Sequence, residues 1–162
     1  MKSRTKSQKI GLIVGKFAPL HKGHQFLIEK ALEKVDRLII IVYRCPETKI
    51  PLKIRVGWLK RLYPKVTVIS GSKAPLEHGN DPKITQQNIE YVKSLLSEKI
   101  THVFSSEWYG QRLSEALGAK NVVVDKKRMH FPVSGTMIRN DLEKYKKFLS
   151  PLVYKELKKP PK

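Results

Sequence analysis

Lysine and histidine side chains cluster in the segment GKFAPLHKGH, which begins at Gly15. Lys16, His21 and His24 can all donate hydrogen bonds to phosphate oxygens. Gly15 and Gly23 would let the backbone approach a ligand closely and turn into the helical pattern that follows. A helix N-terminus adds free N–H groups and a partial positive charge. The segment therefore predicts an anion site, although an ordinary turn with two surface histidines has the same composition.

A second polar segment, SGTMIR, begins at Ser134. Ser134 is a favoured N-cap residue, Thr136 falls in the first turn that follows, and Arg139 lies one turn further on. Two hydroxyls and a guanidinium at a helix start are suited to a triphosphate. An ordinary serine-capped surface helix explains this segment equally well when it is taken alone. Neither GxxxxGK[ST] nor a GxGxxG after the first predicted strand occurs in the chain.

Short apolar runs alternate with stretches of helical periodicity along the chain. This pattern predicts strands at 9–14, 38–43, 66–70, 102–105 and 121–124, helices at 23–34, 54–63, 84–97 and 109–117, and short helices from Thr136 onward. Strands separated by helices imply an α/β fold with a five-stranded parallel sheet and helices on both faces. Ligands of such sheets bind beyond the carboxyl ends of the strands, where both polar segments fall.

Composition narrows the class of protein. A length of 162 residues fits one domain, 1–162, with basic tails at about 1–8 and 156–162. The formal net charge of +19 favours polyanionic ligands, among which charge alone does not choose. The single cysteine, Cys45, excludes an internal disulfide and a cysteine-based zinc site. We expect a cytoplasmic protein without a secretory signal or membrane span, and a homo-oligomer is compatible with the sequence.

Taken together, the two segments resemble motifs of the nucleotidyltransferase superfamily of adenylyl- and cytidylyltransferases. They are most similar to the nicotinamide-nucleotide adenylyltransferase domain of NadR-type proteins, whose motifs look like GKFxPxHxGH and VSGTxIR. FSSEWYG from Phe104 and VDKKR from Val124 resemble two further motifs of that family, and Tyr145 matches an aromatic position after the late motif. The chain is too short to add the kinase or DNA-binding parts of some NadR proteins, so we do not expect those roles.

The resemblance implies a Rossmann-like fold and the reaction NMN + ATP → NAD + pyrophosphate, with Mg²⁺ accompanying ATP and no metal held by protein side chains. It implies catalytic roles for His24, which donates to the α-phosphate, and for Lys16 and Arg139. The implied ATP- and phosphate-binding residues are Gly15, Phe17, His21, Gly23, Ser134 and Thr136. The expected dinucleotide- and NMN-binding residues are Arg55, Trp58, Ser105, Ser106, Glu107, Asp125 and Arg128.

Two of these assignments come from spacing rather than from the motifs. Arg55 and Trp58 share one face of a predicted helix, where Arg55 is suited to the NMN phosphate and Trp58 to stacking on a ring. A tryptophan in an amphipathic helix is more often part of the core.

Several other functions are compatible with the same motifs. A nicotinate mononucleotide or phosphopantetheine acceptor, a cytidylyltransferase or an FMN adenylyltransferase would keep the fold. A basic nucleic-acid-binding module is the alternative from another class. No helix-turn-helix, zinc-finger, RNP or KH pattern supports it, and we do not expect nucleic acid to be the partner.

Overall fold

Five parallel strands form one sheet in the part of the chain that the structure, a computed structural model, describes: residues 7–77, 81–106, 109–125 and 129–159. The strands are β1 (Ile10–Gly15), β2 (Arg37–Tyr43), β3 (Thr67–Gly71), β4 (His102–Ser105) and β5 (Lys120–Val123). Their spatial order is β3-β2-β1-β4-β5. β1 therefore lies at the centre, where successive connections leave to opposite sides, which is the position at which such sheets bind ligands.

The helices connect these strands and extend beyond the last of them. They are α1 (Lys22–Lys34), α2 (Leu52–Leu62), α3 (Pro82–Leu95), α4 (Tyr109–Leu117), α5 (Gly135–Asn140), α6 (Leu142–Tyr145) and α7 (Pro151–Lys158). None of the helices in the described ranges is both long and apolar enough to cross a membrane.

The central strands are apolar on both faces because helices cover both. On β2, Leu38, Ile40 and Val42 face one hydrophobic cluster, and Ile39 and Ile41 face the other. The first cluster also takes side chains from α1, α2, α5 and α7, whereas the second takes side chains from α3 and α4. Such continuous apolar runs are expected for parallel strands buried between two helical layers.

The predicted fold class is confirmed, and every predicted strand and helix occurs in the predicted order. Ends differ by about two residues at most. α3 begins at Pro82, earlier than its apolar pattern, because the Asp81 side chain caps the helix by accepting from the Lys83 N–H at 2.8 Å. α2 likewise begins at Leu52, directly after Pro51.

Candidate active site

A cavity of about 570 Å³ opens where the strands end. Its wall includes the last residue of β1 (Gly15), of β2 (Tyr43) and of β4 (Ser105), as well as Val124 just after β5. The volume lies in the range of sites for small molecules and nucleotides. The GKFAPLHKGH and SGTMIR segments both contribute to this wall.

The two histidines are locked together at the start of α1. The Nδ1 atom of His21 accepts from the backbone N–H groups of Gly23, at 3.1 Å, and His24, at 3.4 Å. The Nδ1 atom of His24 in turn accepts from the His21 N–H at 3.2 Å. The two rings stack with centroids 3.7 Å apart. This reciprocal arrangement is a capping box built from two histidines.

These bonds also determine which ring nitrogen can donate. A backbone N–H points at each Nδ1, so in the neutral ring the proton is on Nε2. Both histidines line the cavity. His21 is 6% exposed, whereas His24 is more open to solvent. The spacing of three residues predicted that both rings face one place, and the structure brings them together.

Gly23 is required by this capping arrangement. A Cβ atom there would lie 2.8 Å from Cε1 and 3.0 Å from Nδ1 of His21, closer than such atoms approach. Phe17, which was predicted to bind ATP, lies beneath the histidines at 1% exposure, with its ring tilted against His24 at 4.8 Å. Its backbone φ of 51° turns the loop after β1. Phe17 therefore supports the histidines from below.

The second segment docks directly onto the first. Arg139 donates through Nη1 to the Ala18 carbonyl and through Nη2 to Thr136 Oγ1 at 3.3 Å. Ser134 caps α5 by accepting from the Met137 N–H at 3.2 Å. A Cβ on Gly135 would lie 2.7 Å from the Ala18 oxygen, so only glycine allows this approach. Two segments more than a hundred residues apart thus form one wall of the cavity.

Lys16 reaches the cavity from the end of β1 and pairs with a carboxylate. Its Nζ lies 3.5 Å from Oε1 of Glu47, which also accepts the thiol hydrogen of Cys45 at 3.0 Å. Burial, followed by the hydrogen bond to Glu47, raises the pKa of the Cys45 thiol. Cys45 is therefore a protonated, 3% exposed side chain and not a thiolate nucleophile.

The prediction that Arg55 holds the NMN phosphate is wrong for this structure. Arg55 is 1% exposed and does not line the cavity. Its Nη1 donates to the carbonyls of Lys16, at 2.6 Å, and Tyr43, at 2.7 Å, while Nε donates to Ile50 at 2.9 Å. Desolvation lowers the pKa of this guanidinium. Arg55 thus joins the ends of β1 and β2 beneath the cavity floor.

The prediction that Trp58 stacks on a ligand ring is also wrong. The ring is 1% exposed in the hydrophobic cluster between α2 and the C-terminal helices, away from the cavity. Its Nε1 donates to Glu156 of α7 at 2.8 Å, and Arg61 donates to the same carboxylate at 2.7 Å. A buried indole with one polar partner is a core residue.

The remaining predicted contacts divide between the cavity wall and the undescribed residues. Ser105, Ser106 and Asp125 line the cavity. The Asp125 carboxylate accepts from the backbone N–H groups of Met129, at 2.8 Å, and His130, at 3.0 Å, so both of its oxygens have a partner within the protein. Although desolvation opposes it, these bonds leave the pKa of Asp125 below its usual value. Glu107 and Arg128 lie outside the described residues.

A second part of the cavity wall was not predicted from the sequence. It is lined by Tyr43, Cys45, Glu47, Thr48, Thr85, Asn88, Ile89 and Arg112. These side chains come from the end of β2 and the 3₁₀ turn that follows it, from α3 and from α4. Arg112 of α4 donates to Thr85 of α3 at 3.4 Å. Polar residues on the inner side of α3, otherwise an amphipathic helix, were the signal that could have found them.

Asn88 is the most informative residue of this wall. Its Nδ2 donates to the carbonyls of Glu77, at 3.2 Å, and Ile84, at 2.9 Å, which fixes the orientation of the amide. Its Oδ1 is buried without a hydrogen-bond partner among the described residues. A buried acceptor left unpaired is costly, and because this oxygen has almost no accessible surface, a ligand N–H would reach it only after neighbouring side chains move.

Comparisons with known proteins agree with this architecture. The cytidylyltransferase-like family model matches residues 12–141, most of the chain. The trifunctional NAD biosynthesis/regulator protein NadR of Escherichia coli (strain K12) is 28% identical over 160 residues, covering 86% of this chain and 38% of NadR. The chain thus spans about two fifths of that relative. A phosphopantetheine adenylyltransferase of Fusobacterium nucleatum is 53% identical over 38 residues, 24% of this chain and 23% of the enzyme.

Solved structures show the same fold. A crystal structure of NadR protein in complex with NAD and AMP-PNP superposes with a TM-score of 0.64 at 22% identity, covering 88% of this chain and 44% of that one. The family match spans the segment from β1 to α5, which contains both polar motifs and the sheet that positions them. The chain belongs to the cytidylyltransferase-like family of nucleotidyltransferases.

Proposed function

We propose that this protein is a nicotinamide-nucleotide adenylyltransferase, which transfers AMP from ATP to NMN and releases NAD and pyrophosphate. The observation that carries the proposal is the docking of Arg139 onto the loop that holds His21 and His24. It joins two imidazole donors, a guanidinium and two hydroxyls on one wall of a cavity of nucleotide size. The similarity to NadR points to NMN as the acceptor.

In the proposed reaction, a phosphate oxygen of NMN attacks the α-phosphorus of ATP in line. The bond from that phosphorus to the bridging oxygen breaks, and pyrophosphate leaves with its electron pair. No protein nucleophile is required, so the contribution of the enzyme is positioning and charge stabilisation. His24 Nε2–H donates to the α-phosphate as negative charge develops, and His21 holds neighbouring oxygens. Lys16 bridges the two substrates, and Arg139, Ser134 and Thr136 hold the β- and γ-phosphates.

Magnesium enters this proposal with the nucleotide. Within the described ranges, no three His, Cys, Asp or Glu side chains come together as a metal site. The wall formed by the GKFAPLHKGH and SGTMIR segments is called the phosphate wall. It offers imidazole, guanidinium and hydroxyl groups, which suit phosphate oxygens better than a hard cation. Mg²⁺ bound to ATP would screen the charge of the triphosphate.

The second group of lining residues, from the end of β2 through Thr48 and from α3 and α4, is called the acceptor wall, and we expect it to favour the amide over the acid. The Oδ1 of Asn88 can only accept, and its Nδ2 hydrogens are already used. The carboxamide of NMN has N–H groups to give it, whereas the carboxylate of nicotinate mononucleotide would place oxygen against oxygen. A site with a buried acceptor discriminates against analogues that lack the matching donor. This residue supports NMN as the preferred acceptor.

The test is to incubate the purified protein with ATP, Mg²⁺ and one of three acceptors: NMN, nicotinate mononucleotide or phosphopantetheine. Products and pyrophosphate are followed by chromatography. The proposal expects NAD from NMN to form fastest. Preferential turnover of nicotinate mononucleotide would keep the reaction type and overturn the acceptor. Turnover of phosphopantetheine alone, the substrate named for the Fusobacterium relative, would overturn the proposed function.

A matched preparation guards against a contaminating enzyme from the expression host. The His24→Ala variant, purified identically, should carry any contaminant at the same level but lack the Nε2 donor. Equal activity in both preparations would mean that the measured NAD does not come from this protein's proposed site.

A further inference from the structure

The carboxylate of Glu47 lies in the acceptor wall of this strongly basic protein, and the proposed reaction gives it no role. Glu47 follows β2 by four residues, in the short 3₁₀ turn Pro46–Thr48. Its side chain is 63% exposed and lines the cavity together with Lys16 and Thr48. A negative charge in a site for anionic substrates repels them. Its presence in the cavity wall therefore calls for a compensating role in binding.

Two neighbouring side chains hold the carboxylate through the same oxygen atom. Lys16 and Cys45 both contact Oε1, at 3.5 Å and 3.0 Å. No hydrogen bond or ion pair from another described residue reaches Oε2. The thiol hydrogen bond from Cys45 is the main cause that lowers the pKa of Glu47 to about 2. The backbone N–H of Glu47 and the charge of Lys16 lower it further, whereas desolvation opposes them. Glu47 is therefore ionised and can only accept hydrogen bonds near neutral pH.

The contact with Lys16 places Glu47 relative to the substrates. In the proposed function Lys16 bridges ATP and the acceptor phosphate, so Glu47 lies beside the acceptor and next to its phosphate. The group that neighbours the phosphate in a mononucleotide is the ribose, with two adjacent hydroxyl donors. An acidic residue near the end of the second strand binds ribose hydroxyls in many dinucleotide-binding sheets, because a carboxylate accepts both. Phosphopantetheine has no ribose to offer.

We propose that Glu47 is a specificity-determining residue that accepts hydrogen bonds from the ribose hydroxyls of the acceptor mononucleotide. The inference rests on the proposed function and deepens it, because it defines the acceptor as a ribonucleotide. Lys16 and Glu47 then recognise adjacent parts of one molecule, the phosphate and the sugar. The pair that the two side chains form with each other positions both before the acceptor binds.

The test pairs a protein variant with substrate analogues that lack one hydroxyl. NAD formation is measured with NMN and with its 2′-deoxy and 3′-deoxy analogues, for the wild type and for Glu47→Ala. Removing a ribose hydroxyl should lower kcat/KM of the wild type by about tenfold, the effect of one hydrogen bond to a charged group at the weak end of its range. In Glu47→Ala the penalty should disappear, so that NMN and the deoxy analogue react at similar rates.

Glu33→Ala is a closely matched control. Glu33 pairs with Lys30 at 3.7 Å and its side chain is 64% exposed, against 3.5 Å and 63% for Glu47, but it lies outside the cavity. This variant should keep the wild-type deoxy penalty. Because the readout is a ratio of substrates within one protein, a general loss of activity does not affect it.

The possible results separate the two proposals. A penalty that is equal in the wild type and in Glu47→Ala would overturn the ribose contact and leave the adenylyltransferase intact. The same conclusion would follow if Glu47→Ala lowered the rates of NMN and both analogues in equal proportion, since Glu47 would then act only through Lys16. If the wild type makes no dinucleotide from any pyridine mononucleotide, both proposals fail.

Discussion

The two walls of the cavity are built in different ways. The phosphate wall comes from two continuous segments, each fixed by its own local hydrogen bonds: His21 and His24 cap each other, and Ser134 caps the helix that carries Arg139. The acceptor wall combines a short stretch at and after the end of β2 with separate side chains on α3 and α4. Each half of the phosphate wall is thus formed by one contiguous segment, although the two halves meet only in the folded protein, whereas the acceptor wall depends on three separate elements.

The difference implies different kinds of function. Local caps preorganise the phosphate donors before any ligand arrives, which is what stabilisation of a charged transition state requires. Separated side chains on neighbouring helices are suited to recognising the shape and polarity of one acceptor. Substitutions in the first wall should therefore change turnover, and those in the second should change the choice of substrate.

The largest expected effect is on the phosphate wall. His24→Ala should lower kcat by about 10²–10³, the loss typical of one donor to a transition-state oxygen. Steady-state NAD formation measures it, and calorimetry with ATP reports whether binding survives. His24→Asn offers an oxygen to the His21 N–H but removes the Nε2–H donor. Near-normal turnover in both variants would break the proposed distinction between the walls.

A structural effect of similar size is expected beneath the cavity, where Arg55 joins the two walls. Arg55→Met leaves carbonyls of Lys16 and Tyr43 without their donor in a buried place, so the free energy of unfolding should fall by about 2–4 kcal/mol. Urea denaturation measures it. Arg61→Met on the same helix removes an exposed arginine paired with Glu156 and should change stability by less than about 1 kcal/mol.

The same variant decides between the two roles considered for Arg55. If the role of Arg55 is structural, Arg55→Met should lower the free energy of unfolding but leave kcat/KM per folded molecule nearly unchanged. Unchanged stability together with a raised KM for NMN would instead support the phosphate contact that helix spacing suggested.

The acceptor wall should respond through selectivity. Asn88→Ala removes the buried acceptor oxygen, so the preference for NMN over nicotinate mononucleotide should fall by about tenfold. The ratio of the two kcat/KM values measures this directly. Gln87→Ala removes an exposed amide from the position of α3 just before Asn88, and it should leave the ratio of the two kcat/KM values unchanged. Equal losses for both acceptors in Asn88→Ala would show that Asn88 does not read the ring substituent.

The sequence predicted most of the fold and one of the two walls for a common physical reason. Periodicity and capping act over a few residues, so the strands, the helices and the histidine segment could be read directly. Arg55 and Trp58 were misassigned because their helix face is chemically suitable for a ligand but packs inward, against backbone carbonyls and Glu156. The polar positions on α3 point only to a helix face that includes Asn88, and Glu47 has no local signal, since the roles of both residues depend on which strands and helices meet.

The smallest effect is expected at the opposite edge of the sheet, where β4 begins at His102. Desolvation, together with the positive charges of Lys120, Lys9 and Lys34, lowers the pKa of His102 below its usual 6.5. The unfolded chain then binds the proton more readily than the folded one, so stability decreases as pH falls below about 6.5. His102→Gln should make this decline shallower in urea titrations between pH 7 and 5, while the NMN preference stays unchanged. Parallel pH profiles of stability for the wild type and His102→Gln would show that His102 does not contribute to the decline. An altered acceptor preference in His102→Gln would contradict the assignment of substrate recognition to the carboxyl edge of the sheet alone.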